Sequence, residues 1–246
     1  MRRTIVAIVF QNGGIGDCGR HAILHAVKNP AISEVRAVAR DPSLPAAPEP
    51  AFDKFTEAEK AKLQFITADP ENDYESLREA FHGATAVISS LGCRQPGFER
   101  YGTTGMRTVV RAMQAQGVSR LVAMSSIGIG NSWPVRRMGP WWMGYLFGLF
   151  AITMMRGGLR DIAGLEKVVT DTQAGPYPKL DYVLVRPVGL GPEVEPQGTW
   201  TVREDPKAGA LSMQIAKSDV GQFLVDQALN PTIHNQAIEI GSGNGE

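Results

Sequence analysis

The sequence predicts a single α/β domain built on a doubly wound parallel sheet. Short apolar, β-branched runs alternate with segments of helical periodicity along the chain, a pattern typical of βαβ units. A glycine-rich stretch follows the first of these runs, where a strand turns into a helix. The chain has 246 residues, of which 43% are hydrophobic. This length is sufficient for one domain with a large core, and it is too short for a second full domain.

The composition excludes several classes of protein. Lys and Arg (25) balance Asp and Glu (25), and basic residues do not cluster, so direct nucleic-acid binding is not expected. The two cysteines, Cys18 and Cys93, lack the spacing of a metal site or a disulfide framework. Two isolated cysteines of this kind predict that no metal is bound and that the protein is cytoplasmic.

The first strand and its turn carry the main functional signal. The apolar run over residues 5–10 leads into Gln11-Asn12-Gly13-Gly14-Ile15-Gly16-Asp17-Cys18-Gly19. Glycines are needed in such a turn because a Cβ atom would block both a positive φ and the approach of backbone amides to a pyrophosphate. Gly13, Gly16 and Gly19 form a GxxGxxG pattern, and a GxxxGxG register ending at Gly16 is the alternative. The stretch therefore predicts a phosphate cradle.

The remaining elements follow from the same periodicities. Further strands are predicted at residues 34–40, 63–70, 84–92, 121–126, 182–186 and 237–240. Helices are predicted at residues 74–81, 101–116 and 159–172, and from residue 218, with Ser218 or Asp219 as the N-cap. Residues 199–213 have mixed strand and loop character.

The ends of the second and third strands predict the choice of nucleotide. Arg40 closes the second strand, and no acidic residue occupies the strand end ahead of it. An arginine there pairs with the 2′-phosphate of NADP, whereas an acidic residue favours the 2′-hydroxyl of NAD. NADP(H) is therefore preferred over NAD(H), and a solvated loop arginine is the alternative. Asp69 ends the third strand either near the adenine or as a turn residue before Pro70.

The fourth and fifth strands end in small or hydroxyl residues. Residues 89–92 read Ser-Ser-Leu-Gly, and Ser125 and Ser126 close the fifth strand. Small residues let a ring or a ribose lie over the backbone, and ligands of open parallel sheets bind outside these strand ends. We expect the ligand at this edge.

The order of these motifs resembles that of the atypical short-chain dehydrogenase/reductases. The branch it resembles most is that of the NAD(P)H-binding, NmrA-like proteins and the flavin or biliverdin-IXβ reductases. The resemblance covers nearly the whole chain. It rests on the GxxGxxG turn, Arg40, Asp69, Ser90-Leu91-Gly92, Gly117-Val118-Ser119-Arg120 and Val183-Leu184-Val185-Arg186-Pro187.

The resemblance implies a Rossmann-type sheet and a small C-terminal substrate-side region, with lid segments at residues 132–160 and 189–215. It also implies a set of cofactor-binding residues. The pyrophosphate would lie on Gly13, Gly14, Ile15, Gly16, Asp17, Cys18 and Gly19, the 2′-phosphate on Arg40, the adenine near Asp69, and the nicotinamide half near Leu91, Gly92, Ser125 and Pro187.

The chain departs from the family in its acid–base residues. Standard members carry Tyr-x-x-x-Lys on the helix after the fifth strand, and the sequence contains no such pair. Aligning Glu166 with the glutamate that often follows the motif puts Gly158 and Ile162 at the two places. Hydride transfer does not itself require a protein acid, so Ser126 or solvent is the predicted proton relay. A Ser126 hydroxyl that only packs the strand end or binds the cofactor is the alternative. Asp161 and Glu166 are expected on the solvated face of their helix.

An uncharged segment, residues 138–155, is rich in Trp, Met and other apolar side chains. It is shorter than the roughly 20 residues that a membrane-spanning helix needs and contains Pro and Gly, so no membrane span is predicted. Aromatic and methionine walls suit a flat, apolar ligand. A buried helix or a subunit interface is an equally weighted alternative.

The predicted function is that of an NADP(H)-dependent oxidoreductase acting on an apolar, conjugated small molecule, as a monomer or homodimer. Two alternatives stay open. The first is a non-catalytic dinucleotide sensor of the NmrA-like kind, which the missing Tyr and Lys favour. The second is a lyase or isomerase on the same scaffold.

Overall fold

A computed structural model describes eight stretches of the chain. They are residues 4–10, 17–40, 55–92, 100–130, 156–174, 179–191, 196–205 and 211–243. The uncharged segment at residues 138–155 lies outside these residues. Among the helices that are described, none has the length and apolar character needed to cross a membrane.

Strands and helices alternate up to the sixth strand of the described chain, as the βαβ pattern predicts, and three further strands then precede the next helix. In chain order they are β1 (Ile5–Val9), α1 (Asp17–Lys28), β2 (Glu34–Ala39), α2 (Glu57–Lys62), β3 (Leu63–Thr67), α3 (Tyr74–Ala80), β4 (Ala86–Ser89), α4 (Tyr101–Ala115), β5 (Arg120–Met124), α5 (Arg156–Asp171), β6 (Asp181–Pro187), β7 (Gly189–Gly191), β8 (Trp200–Arg203), β9 (Gln214–Ala216), α6 (Lys217–Leu229) and β10 (Gln236–Ser242).

The main sheet has eight strands in the order β3-β2-β1-β4-β5-β6-β10-β8. All neighbours pair in parallel except β8, which runs antiparallel to β10. A separate two-stranded ribbon joins β7 and β9. The strand order reverses between β1 and β4, which is the switch point where open parallel sheets bind ligands. The predicted doubly wound, Rossmann-type fold is confirmed.

Two apolar layers cover the sheet because its central strands are buried on both faces. In β1, Val6 and Ile8 belong to the core under α1 and α6, whereas Ala7 and Val9 belong to the core under α3, α4 and α5. All of β1 is buried. This explains why β1 has a continuous apolar run rather than an alternating pattern.

Gly221 sets the distance between α1 and α6. A Cβ atom at this position would lie 2.7 Å from the Ala22 backbone nitrogen and 2.8 Å from the His21 carbonyl carbon. Neither backbone atom can move without moving α1. A glycine is therefore required at the crossing of these helices.

The predicted N-cap of the last helix is wrong. Ala216 occupies the N-cap position of α6, and no side chain caps it. Asp219 is instead buried and accepts hydrogen bonds from the backbone amides of Gln197 and Gly198, both at 3.0 Å. Asp219 has this role because of a tertiary contact. The chain leading into β8 brings two backbone amides near α6, and these amides need an acceptor.

Several strand ends also differ from the predictions. β3 ends at Thr67 instead of residue 70, and β4 covers only Ala86–Ser89. After β3 the Asp69 carboxylate accepts a hydrogen bond from the Glu71 backbone amide at 3.0 Å, which turns the chain away from the sheet. The segment of mixed character contains β8, an edge strand of the main sheet.

Candidate functional site

The carboxyl ends of β1 to β6 meet at one edge of the sheet, and the predicted site residues follow these ends. Arg40 comes after β2, Asp69 after β3, Leu91 and Gly92 after β4, Ser125 and Ser126 after β5, and Pro187 ends β6. Asp17 begins α1, and Cys18 and Gly19 lie in its first turn. Gly13, Gly14, Ile15 and Gly16 lie outside the described residues.

Gly19 lies where α1 meets the ends of β1 and β4. A Cβ atom there would lie 2.4 Å from two carbons of the Phe10 ring and 2.9 Å from Ser90 Oγ. Phe10 is fully buried, so its ring has no free space to move into. Close helix–strand packing is the role of the third glycine in a dinucleotide-binding turn. Gly19 therefore fits the GxxGxxG register and a dinucleotide cradle.

Replacing Gly19 with alanine should lower the free energy of unfolding by about 1–3 kcal/mol, the usual effect of overpacking a core. Gly92→Ala is the matched control, because no atom lies within 4 Å of a Cβ atom at Gly92. Urea unfolding of the two variants measures both effects. Equal stabilities of the two variants would contradict the close packing at Gly19.

Arg40 and Asp69 occupy neighbouring strand ends on the predicted adenosine side. The guanidinium carbon of Arg40 lies 5.7 Å from the centre of the Tyr101 ring. Both carboxylate oxygens of Asp69 accept local hydrogen bonds, from the Glu71 amide at 3.0 Å and from Asn72 Nδ2 at 3.1 Å. Asp69 is therefore a turn residue in this structure, and a contact with adenine stays a prediction.

Tyr101 is a site residue that sequence reasoning missed. It begins α4 and is 2% exposed. None of the described residues accepts a hydrogen bond from its hydroxyl group. Burial and the nearby Asp69 carboxylate raise the pKa of Tyr101 above its usual value, although Arg40 opposes the shift. No sequence signal separates this tyrosine from the apolar face of its helix.

The expectation that Glu166 is solvated is wrong. Glu166 is buried against β6, where its carboxylate accepts hydrogen bonds from Arg186 Nε at 2.8 Å and Arg186 Nη2 at 2.7 Å. Ser125 Oγ donates to the same carboxylate at 2.5 Å. A two-point Arg–carboxylate pair compensates the burial of both charges. Glu166 thus joins α5 to the ends of β5 and β6.

Asp161 is likewise buried rather than solvated. Its Oδ2 atom accepts from the Gly102 backbone amide at 2.7 Å, and Oδ1 accepts from the Thr103 amide and hydroxyl, both at 2.8 Å. The first amides of a helix have no acceptor within the helix, so a carboxylate from α5 supplies one to α4. This contact positions the turn of α4 that carries Tyr101.

The buried ion pairs continue across the sheet. Glu239 of β10 is in register with Arg186 of β6, and Arg203 Nε of β8 donates to Glu239 Oε2 at 2.5 Å. These residues and Glu166 are all buried. Acidic and basic side chains therefore alternate from α5 through β6 and β10 to β8. These elements lie in the half of the sheet that is remote from β3.

The residues available for proton transfer are few at this edge. Ser125 Oγ is bound to Glu166, whereas Ser126 is half-buried and its hydroxyl donates to the Ile127 carbonyl oxygen at 3.1 Å. Gly158 and Ile162 lie on α5 and have no side-chain proton to give. The described part of the site thus contains Ser126 as a candidate relay and no Tyr–Lys pair on α5.

Comparisons with known proteins agree with this geometry. The model of the NAD(P)H-binding family matches residues 13–231. No curated protein matches the chain. Among solved structures, the oxidoreductase ylbE from Lactococcus lactis is 16% identical, covering 97% of this chain and 92% of that chain with a TM-score of 0.68.

Two further solved structures share the fold. ChuY, an anaerobillin reductase from Escherichia coli O157:H7, is 20% identical, covering 98% of both chains with a TM-score of 0.67. A short-chain dehydrogenase/reductase from Veillonella parvula in complex with NADP is 15% identical, covering 98% of this chain and 96% of that chain with a TM-score of 0.66. The chain described here belongs to the NAD(P)H-binding family.

Proposed function

We propose that this protein is an NADP(H)-dependent reductase that acts on an apolar, conjugated small molecule. The observation that carries the proposal is the contact of Gly19 with Phe10 and Ser90, which leaves no room for a side chain between α1 and the ends of β1 and β4. That packing is typical of a dinucleotide-binding turn. Arg40, at the next strand end, supports a cofactor with a 2′-phosphate.

Different residues of this edge would bind different parts of the cofactor. The amides of residues 13–19 would hold the pyrophosphate at the N-terminus of α1, and the Arg40 guanidinium would pair with the 2′-phosphate. Leu91, Gly92, Ser125 and Pro187 would border the nicotinamide half. When bound, NADPH supplies the hydride. Because the Ser125 hydroxyl donates its proton to Glu166, it could meet the cofactor only as an acceptor or through its backbone.

The proton that accompanies the hydride needs a separate source. Asp161 and Glu166 are both buried, and their carboxylates accept hydrogen bonds from other parts of the protein, so we assign the proton to neither. We assign the relay to Ser126 or to solvent next to it. Reduction of the acceptor then uses one hydride from the cofactor and one proton from this relay.

A conjugated acceptor suits a site of this kind. Its π-system spreads the charge that the hydride brings, so it requires less help from a protein acid than an isolated carbonyl does. The same fold occurs in an anaerobillin reductase. We therefore include anaerobillin with quinones and flavins as candidate acceptors.

The first experiment is a calorimetric titration of the protein with NADPH and with NADH. Wild type should bind NADPH more tightly, and Arg40→Ala should weaken NADPH binding by roughly 10- to 100-fold while changing NADH binding little, because a charge-assisted contact to one phosphate is lost. Arg78→Ala, which removes an exposed arginine paired with Glu75, is the control. Wild type that binds neither nucleotide would refute the proposal.

The second experiment measures NADPH oxidation with the acceptor panel. We expect turnover with at least one quinone, flavin or anaerobillin. NADPH binding without turnover on any acceptor would instead favour a dinucleotide sensor, the second candidate function. Gly158 and Ile162, at the places of the usual Tyr and Lys, support that candidate. A sensor should retain a partner protein with one redox form of the cofactor only.

A further inference from the structure

The Tyr101 hydroxyl is a buried polar group that the fold does not use. Tyr101 is 2% exposed, and no acceptor for its hydroxyl proton lies within the described part of the chain. Buried hydroxyls are nearly always paired, so an exception requires an explanation. Gly105, one turn further along α4, would place a Cβ atom 3.3 Å from Leu91 Cδ1 and 3.4 Å from Pro70 Cβ. Tyr101 is thus at the start of a helix that packs closely on the ends of β3 and β4.

The missing partner must be an acceptor. Burial, followed by the charge of Asp69, raises the pKa of the Tyr101 hydroxyl, so this group keeps its proton at neutral pH. The Arg40 guanidinium carbon lies 5.7 Å from the ring centre, and a guanidinium only donates hydrogen bonds. The Asp69 carboxylate accepts hydrogen bonds from Glu71 and Asn72 and makes none with the Tyr101 hydroxyl. The described part of the chain thus offers the Tyr101 proton no acceptor, and the proton is available to a bound ligand.

Arg40 and Tyr101 are adjacent donors of different kinds. The Arg40 guanidinium lies by the Tyr101 ring and acts on the Tyr101 hydroxyl, so an anion that pairs with Arg40 would come close to this side chain. A phosphate group has several oxygen acceptors, so it can pair with a guanidinium and accept from a hydroxyl at once. Adenine would also lie on this side in the proposed complex, but it is uncharged and cannot form an ion pair with Arg40.

We propose that the Tyr101 hydroxyl donates a hydrogen bond to the 2′-phosphate of the cofactor, next to Arg40. Tyr101 is then a second determinant of the preference for NADP(H) over NAD(H). This inference rests on the proposed function, because it needs a dinucleotide at the carboxyl ends of β1 to β4. Without the nucleotide, the hydroxyl proton stays buried with no acceptor among the residues that the structure describes.

The test is Tyr101→Phe, which removes one oxygen and keeps the ring. Calorimetry should show that affinity for NADPH and for adenosine 2′,5′-bisphosphate falls by about tenfold, the loss expected for a hydrogen bond to a charged group. Affinity for NADH and AMP should not change. Without nucleotide, the variant should melt at the wild-type temperature or higher, because an unpaired buried hydroxyl has been removed.

Tyr74→Phe is the matched control. Arg111 lies over the Tyr74 ring, with its guanidinium carbon 5.0 Å from the ring centre, so this pair copies the Arg–Tyr contact on another part of the surface of α4. Tyr74→Phe should change neither NADPH nor NADH affinity.

Three results would overturn the assignment. Equal losses for NADPH and NADH would place the hydroxyl on the part that the two nucleotides share. Unchanged affinities would remove Tyr101 from the nucleotide site. A lower melting temperature of nucleotide-free Tyr101→Phe would reveal a partner within the protein. In each case wild type still binds NADPH, whereas failure of the proposed function would show as wild type that binds neither nucleotide.

Discussion

Glu166→Ala should lower the free energy of unfolding by about 3–5 kcal/mol, the loss that follows when one member of a buried ion pair is removed. The alanine leaves the Arg186 guanidinium buried without the carboxylate that accepts its Nε and Nη2 hydrogen bonds. Ser125 Oγ loses its acceptor at the same time. Urea unfolding at neutral pH measures the effect.

The control for this variant lies on the same helix. Asp171 pairs with Lys167, and the two side chains are 60% and 74% exposed, so Asp171→Ala should change stability by less than about 1 kcal/mol. The double variant Glu166→Leu/Arg186→Met should be more stable than Glu166→Leu alone, because neither charge of that pair then remains buried. Equal stabilities of Glu166→Ala and Asp171→Ala would contradict the structural role of Glu166.

Asp161→Ala should also be strongly destabilising, by about 3 kcal/mol, because two amides at the start of α4 and one hydroxyl lose a charged acceptor. The same variant should bind NADPH more weakly than wild type. Its α4 start, which carries Tyr101, would no longer be tied to α5. Urea unfolding and calorimetric titration measure the two effects.

Thr103→Val separates the two parts of that prediction. It removes the hydroxyl that donates to Asp161 but keeps the backbone amide bonds, so it should cost about 1 kcal/mol and leave NADPH affinity unchanged. If Asp161→Ala were no less stable than Thr103→Val, the amides of α4 would not depend on this carboxylate.

The fold could be predicted from local patterns because its central strands are buried on both faces. The continuous apolar run of β1 and the glycines after it are properties of neighbouring residues, and the structure confirms the sheet that they predict. The exact ends of the strands could not be predicted from these patterns. A turn residue such as Asp69 redirects the chain after β3 through a side-chain hydrogen bond, and periodicity does not reveal such a contact.

The buried charges of the site could not be predicted in the same way. Asp161 and Glu166 stand among polar residues of an amphipathic helix, and the pattern alone favours the solvated face. Their partners are Gly102 and Thr103 on one side and Arg186 on the other. These lie on other elements, so the partnership exists only once the sheet is assembled. Asp219, which binds a loop and not its own helix, differs from the prediction for the same reason.

The crossing at Gly221 has a consequence for synthesis of the protein. The helix that leaves the phosphate-binding turn is covered by α6, which is translated close to the end of the described chain. A nascent chain on the ribosome therefore forms its first βαβ unit with the apolar side of α1 still bare. Contacts between residues so far apart in sequence are slow to form. The growing polypeptide must protect that surface, alone or with a chaperone, until α6 emerges.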